Sequence, residues 1–140
     1  MTAYVDTSLL IAAVAREPES ERVQEWLAAS GRALSVSDWT ITEFASALAL
    51  KLRMGAMSAE KRAEAARWFR DILSESATVL QVTRPSFRRA ADLAAMTGVK
   101  IRAPDALHLA VAERNGLTLY TLDRDQAEAG LAAGIPAELL

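Results

Sequence analysis

Asp6, Glu43, Asp105 and Asp123 carry the residue type that holds a hard cation, at places where a fold can gather them. Asp6 and Asp123 close the short apolar runs "TAYVD" and "LTLYTLD", which read as strands. Glu43 and Asp105 lie near the starts of helical segments. Each shares a face with apolar residues at i+4 and i+7: Ala47 and Leu50 for Glu43, Leu109 and Ala112 for Asp105. Singly, each acid has an ordinary explanation. Asp6 and Asp123 suit turns or helix caps. Asp105 suits the positive end of a helix dipole. Glu43 stands three residues after Thr40, the spacing of a capping box. Together they are harder to explain. The stretch "FASALAL" after Glu43 is apolar nearly all round and is expected to be buried. An acid at the mouth of a buried helix needs a partner.

Two carboxylates about 5 Å apart repel by roughly 3 kcal/mol at an effective dielectric near 20. A cluster of four therefore calls for a counter-ion or a proton. Mg²⁺ and Mn²⁺ prefer oxygen ligands, and one or two such ions would satisfy the cluster. The chain has no cysteine and one histidine, so a zinc site is not expected. Metal held this way activates water for in-line attack on a phosphodiester and neutralises the leaving oxygen. It also answers the charge balance: the net charge is −2, which is not the basic surface of a nucleic-acid binder. His108 follows Asp105 by three residues and could act as a base. Metal-activated water does not require it.

The elements that must position these acids alternate. Strands are expected at 2–6, 32–37, 77–83, 117–123 and 135–140. Helices are expected from Thr7 or Ser8, over 18–30, from about Thr40 to Met54, from Ser58 to Ser76, over 84–98, from Pro104 to Gly116, and to about Ala133. Such alternation implies βα units and a parallel sheet in an α/β fold, whose ligands sit beyond the carboxyl ends of the strands. The chain of 140 residues is read as a single domain, 1–140. No apolar run reaches the roughly 20 residues that span a bilayer, and the N-terminus lacks the features of a signal peptide. A cytoplasmic protein without membrane contact is expected.

The ordered acids in "YVDTSLL", "ITEFASAL", "RAPDALHLAVA" and "LYTLDRD" resemble those of PIN domains, most closely VapC-type toxins of bacterial toxin–antitoxin systems. The resemblance covers nearly the whole chain. It implies a three-layer α/β/α sandwich with a short parallel sheet. It implies a Mg²⁺- or Mn²⁺-dependent endoribonuclease, an RNA substrate, a cognate antitoxin and a homodimer. Residue by residue, Asp6, Glu43, Asp105 and Asp123 match the four acids of the family, as catalytic residues and metal ligands. Ser8 matches a hydroxyl that lines the metal site, although it is equally placed to cap a helix. Arg102, three residues before Asp105, fits a base that holds phosphate. Asp125 is a candidate accessory acid, with a solvated helix start as the plainer reading.

Other features have structural readings first. Trp26, Trp39, Trp68 and Phe69 could stack bases, but core or partner-groove packing is the simpler expectation. Arg88 and Arg89 suit a solvated face. A phosphatase of the haloacid-dehalogenase type also carries an Asp after strand one, but it requires a second acid where Ser8 stands. The rival from another class is a catalytically inactive PIN-like binding module acting through a protein partner. A retained cluster of repelling acids argues against it.

Overall fold

The computed structural model describes residues 2–29, 31 and 33–140. The expected helix end at Ser30 and strand start at Arg32 lie outside the described residues. Elements alternate in the order β1 (Thr2–Val5), α1 (Thr7–Val14), α2 (Ser20–Ala29), β2 (Ala33–Ser37), α3 (Asp38–Arg53), α4 (Ala59–Glu75), β3 (Ala77–Leu80), α5 (Arg84–Ala94), α6 (Ala103–Arg114), β4 (Thr118–Thr121), α7 (Arg124–Ala132) and β5 (Ala137–Leu139). All strand pairs are parallel, in the order β3-β2-β1-β4-β5.

Period-two alternation along β1 assigns the layers. Ala3 and Val5 point to one side, where Leu9, Leu10, Phe44, Leu48 and Phe69 from α1, α3 and α4 form a core with Val36 and Tyr120. Tyr4 points to the other side, where Leu93, Leu109 and Ala129 from α5, α6 and α7 pack with Leu119 and Ala137. The result is the expected α/β/α sandwich. On the second side the packing is tight enough that Gly130 has Leu109 Cδ2 and Ala137 Cβ at 2.9 Å from where a Cβ would stand.

The strand order places the site. Chain order runs outward from β1 to β2 and β3, then jumps back to β4 on the other side of β1. Such a reversal opens a crevice beyond the strand ends. Here the two strands flanking it are β1 and β4, paired as Val5↔Tyr120. Asp6 follows β1 directly and Asp123 follows β4 by two residues.

Local expectations are corrected in three helices. First, α3 begins at Asp38, with Ser37 as N-cap and Thr40 as the reciprocal member of the capping box, so Glu43 is free of capping and sits in the second turn. Two hydroxyls three residues apart closed the box before the acid was reached. Second, α3 is not buried all round. Its inward stripe is Thr40, Phe44 and Leu48, while Leu50 is 49 % exposed and Ile41 37 %. Third, α1 is capped by Asp6 rather than by Thr7 or Ser8, and α5 ends at Ala94, before Gly98.

Candidate active site

Asp6 is buried, and its backbone N–H donates to Tyr120 O across the β1–β4 pair at 3.2 Å. Its carboxylate is held on both oxygens. Oδ1 accepts from Ser8 Oγ at 2.6 Å and from Leu9 N at 3.4 Å, and Oδ2 accepts from Thr121 Oγ1 at 2.9 Å. Burial raises its pKa, against the opposing charge of His108 and the hydroxyl hydrogen bonds from Ser8 and Thr121. Capping and site membership are therefore compatible in this residue: one face of the carboxylate holds α1 and both oxygens are fixed by the fold.

Thr121 couples Asp6 to the end of β4. Its Oγ1 accepts from Asp123 N at 2.9 Å while donating to Asp6. Asp123 then caps α7, its Oδ1 accepting from Asp125 N at 2.9 Å and Gln126 N at 3.2 Å. Asp105 lies in the first turn of α6, behind Pro104. Its carboxyl is pushed up from the ordinary 3.8 to about 6, chiefly by burial and then by the charges of Asp123 and Asp6, against His108 and Arg102. Asp105 is thus the acid on which the charges of two others, Asp123 and Asp6, act.

Glu43 reaches this region from α3 and is tied differently. Its Oε1 accepts from Thr7 Oγ1 at 2.8 Å and from His108 Nε2. Burial would raise its pKa, but the His108 hydrogen bond and charge and the Thr7 hydroxyl outweigh it, and the carboxyl is lowered. Glu43 is joined to the aspartates through His108, whose charge also acts on Asp6 and Asp105.

Ser8 donates to Asp6 and accepts from Leu122 N at 3.1 Å. Arg102 is 86 % exposed at its side chain and stands 3.9 Å from Asp105 Oδ2, a loose pair at the rim. Asp125 is exposed and offers Asp123 its backbone N–H. His108 is fully buried, with Nδ1 2.7 Å from Tyr4 OH and Nε2 on Glu43. Both ring nitrogens are occupied, so the reading of His108 as a base finds no open nitrogen. The aromatic residues singled out above pack inward: Phe69 on Phe44 at 4.2 Å, Trp26 on Tyr120 at 4.9 Å, and Trp39 and Trp68 against the two cores. Arg89 pairs with Glu113 at 2.7 Å, and Arg88 is exposed.

Thr121 and Tyr4 were not singled out by sequence, and Thr7 only as a helix cap. The available signal was positional: hydroxyls immediately after β1 and at the last residue of β4 flank the acids they hold.

The donor set is carboxylate and hydroxyl oxygen, the chemistry of Mg²⁺ and Mn²⁺. Among the described residues no three His, Cys, Asp or Glu side chains form a ready-made metal cage. Burial and the charges of Asp123 and Asp6 raise the Asp105 carboxyl against those of His108 and Arg102, so the fold compensates charge at this carboxyl only in part.

The chain belongs to the PIN domain family, which it matches over residues 3–131. It is similar in structure to the VapC20 toxin of Mycobacterium tuberculosis, described as cleaving the sarcin–ricin loop, with a TM-score of 0.73 and 22 % identity over 91 % of this chain and 95 % of the toxin. It is also similar to VapBC2 of Rickettsia felis, bound to a fragment of promoter DNA, with a TM-score of 0.71 and 15 % identity over 99 % and 98 % of the two chains. FitAcB of Neisseria gonorrhoeae gives a TM-score of 0.68 and 22 % identity over 96 % and 95 %. No curated protein sequence matches the chain.

Proposed function

We propose that this PIN domain is a Mg²⁺- or Mn²⁺-dependent endoribonuclease and the toxin of a toxin–antitoxin pair. The observation that supports the reading is the placement of Asp6, Asp105 and Asp123 about the reversal between β1 and β4, where burial first, and then the charges of Asp123 and Asp6, raise the Asp105 carboxyl to about 6. Asp6, Glu43, Asp105 and Asp123 would hold the metal. When bound, one or two ions supply an activated water and neutralise the charge that develops on the phosphodiester. The chain's own residues orient and restrain. Ser8 and Thr121 lock the rotamer of Asp6, the α7 cap locks Asp123, and Thr7 with His108 locks Glu43. Arg102, exposed beside Asp105, is placed to meet a phosphate at the rim. Asp125, exposed in the first turn of α7, is assigned no role in this reading.

The proposed partners are an RNA substrate, a cognate antitoxin and a second copy of the chain. A groove of about 1260 Å³ runs between the end of α1, α2 and α4, with Val14, Leu27, Trp68 and Ile72 among its apolar lining. An amphipathic antitoxin segment fits such a groove; a second groove, of about 560 Å³, is lined by Thr7, Ser8 and Asp123, and a basic side chain entering it would pair with the acids in place of the metal's charge. A solved structure to which the chain is similar, from Klebsiella pneumoniae, is described as a toxin–antitoxin complex, which supports an antitoxin as partner. Exposed Ile41, Leu50 and Met54 on α3 and the turn after it supply apolar surface for a homodimer. No helix among the described residues is long and apolar enough to cross a membrane. The cytoplasm, where RNA is, is the proposed location.

The test uses chain purified free of antitoxin and shown by sedimentation to be a dimer. It is expected to cut RNA with Mn²⁺ or Mg²⁺, to stop on chelation, and to be silenced by the product of an adjacent small gene. Clean dimeric protein that leaves a broad panel of RNAs intact with either metal would instead favour the inactive binding module.

A further inference from the structure

The centre of the molecule holds a hydrogen-bonded chain that the four acids alone do not require. Ser37 Oγ and Thr40 Oγ1, the capping pair of α3, stand 2.9 Å and 3.4 Å from Tyr4 OH. Tyr4 OH stands 2.7 Å from His108 Nδ1, and His108 Nε2 meets Glu43 Oε1. Tyr4, Ser37, Thr40 and His108 are all essentially inaccessible to solvent. Every residue of α6 from Ala106 to Ala112 is buried, and all but His108 are apolar. Packing alone would be met by a leucine at that position. A buried imidazole costs desolvation unless its nitrogens are paired, and here both are.

The protons can be placed consistently. Glu43, a carboxylate, only accepts, so Nε2 carries the hydrogen. Nδ1 pairs with Tyr4 OH in either state of the ring: a neutral imidazole accepts from the phenol, with Ser37 or Thr40 donating to the phenol oxygen, and an imidazolium, the form whose charge acts on the acids, donates to it. Burial, supported by the charges of Asp6 and Glu43, keeps the phenol protonated, well above its usual range, against the Ser37 and Thr40 hydrogen bonds. Each element in the chain also carries an acid of the site. Tyr4 precedes Asp6 by two residues on β1, His108 follows Asp105 by three on α6, and Ser37 and Thr40 open the helix that carries Glu43. Both Thr7 and His108 bind Oε1, and no hydrogen bond reaches Oε2 among the described residues.

We propose that His108 is a positioning residue for Glu43: backed by Tyr4, it fixes the carboxylate through Oε1 and leaves Oε2 as the oxygen offered to a cation. It does not touch substrate. The proposal rests on the metal-dependent reading given above. Groups that orient a metal's ligands from behind typically contribute about 10- to 100-fold in metal affinity.

Mn²⁺ binding, read as free Mn²⁺ by electron paramagnetic resonance, tests this without depending on turnover. His108→Leu should bind Mn²⁺ about tenfold or more weakly than the parent, at unchanged circular dichroism. His108→Gln, whose amide can donate to Oε1, should recover part of the loss. Tyr4→Phe removes one oxygen and serves if His108→Leu does not fold; it should weaken Mn²⁺ binding in the same direction, by about threefold or more. His108→Leu binding Mn²⁺ like the parent, or Tyr4→Phe doing so where the leucine variant does not fold, overturns the positioning role and leaves the metal reading intact. A parent chain that binds no Mn²⁺ overturns both.

Discussion

Asp6→Asn is expected to abolish RNA cleavage, by at least about 1000-fold, while leaving the protein as stable as the parent or more so. The loss follows from the role proposed for the carboxylate. Metal-borne charge stabilisation is worth several kcal/mol in the transition state, and each 1.36 kcal/mol is tenfold in rate. The retained stability follows from the contacts. Asn Oδ1 can still accept from Ser8 Oγ and Leu9 N. Its amide then faces Thr121 Oγ1, which has a lone pair to accept it and can turn its own proton toward Ser8 Oγ, 3.5 Å away. Burial is the largest influence on Asp6 and disfavours its charge, so a neutral isostere removes a cost. Cleavage rates and urea unfolding, measured on one preparation, check both halves. An unfolded variant would refute the packing argument, and an active one the assignment of Asp6.

The second large effect is on stability in the absence of metal. Asp105 is raised to about 6 in the folded chain from an ordinary 3.8. The folded state therefore binds its proton more tightly than the unfolded state does. The associated stability is fully present below about pH 4 and is lost as pH rises through about 6. The full difference corresponds to at most about 3 kcal/mol. Glu43 acts in the opposite sense, since its lowered carboxyl contributes stability above its unfolded value that is lost at acid pH. Comparing parent with Asp105→Asn cancels that contribution. In chelator at pH 8 the variant should be the more stable, by up to that amount. At pH 4 the advantage should vanish, because Asp105 in the parent is then neutral too. Mn²⁺ at pH 8 should stabilise the parent and close the gap. Equal urea midpoints at pH 8 would show that Asp105 is not held among uncompensated charges.

Much of this was legible in the sequence because it is local. Strand-ending Asp6 and Asp123, the helix start at Pro104 and the alternation of elements all follow from short-range pattern, and the structure has the strands and helices close to those positions. Errors arose where several side chains compete for one role. "SDWTITE" offers two overlapping capping boxes, and Ser37 with Thr40 takes the cap, which frees Glu43. The burial of α3 was overestimated because apolar residues on its outer side, Ile41 and Leu50, have no covering layer in the single chain. The link from Tyr4 to His108 spans 104 residues. No periodicity reports such a contact; only the strand order, which brings α6 across the sheet from β1, makes it possible.

The central claim is that Asp6, Asp105 and Asp123, with Glu43, form a divalent-metal site. Anomalous diffraction from crystals soaked in Mn²⁺ near pH 8 tests it most directly. The account predicts one or two anomalous peaks in the crevice beyond β1 and β4, with carboxylate oxygens of these residues coordinating directly or through water, and none in Asp6→Asn. Crystals that take up Mn²⁺ only elsewhere, with Asp6 and Asp105 still unliganded, would contradict it.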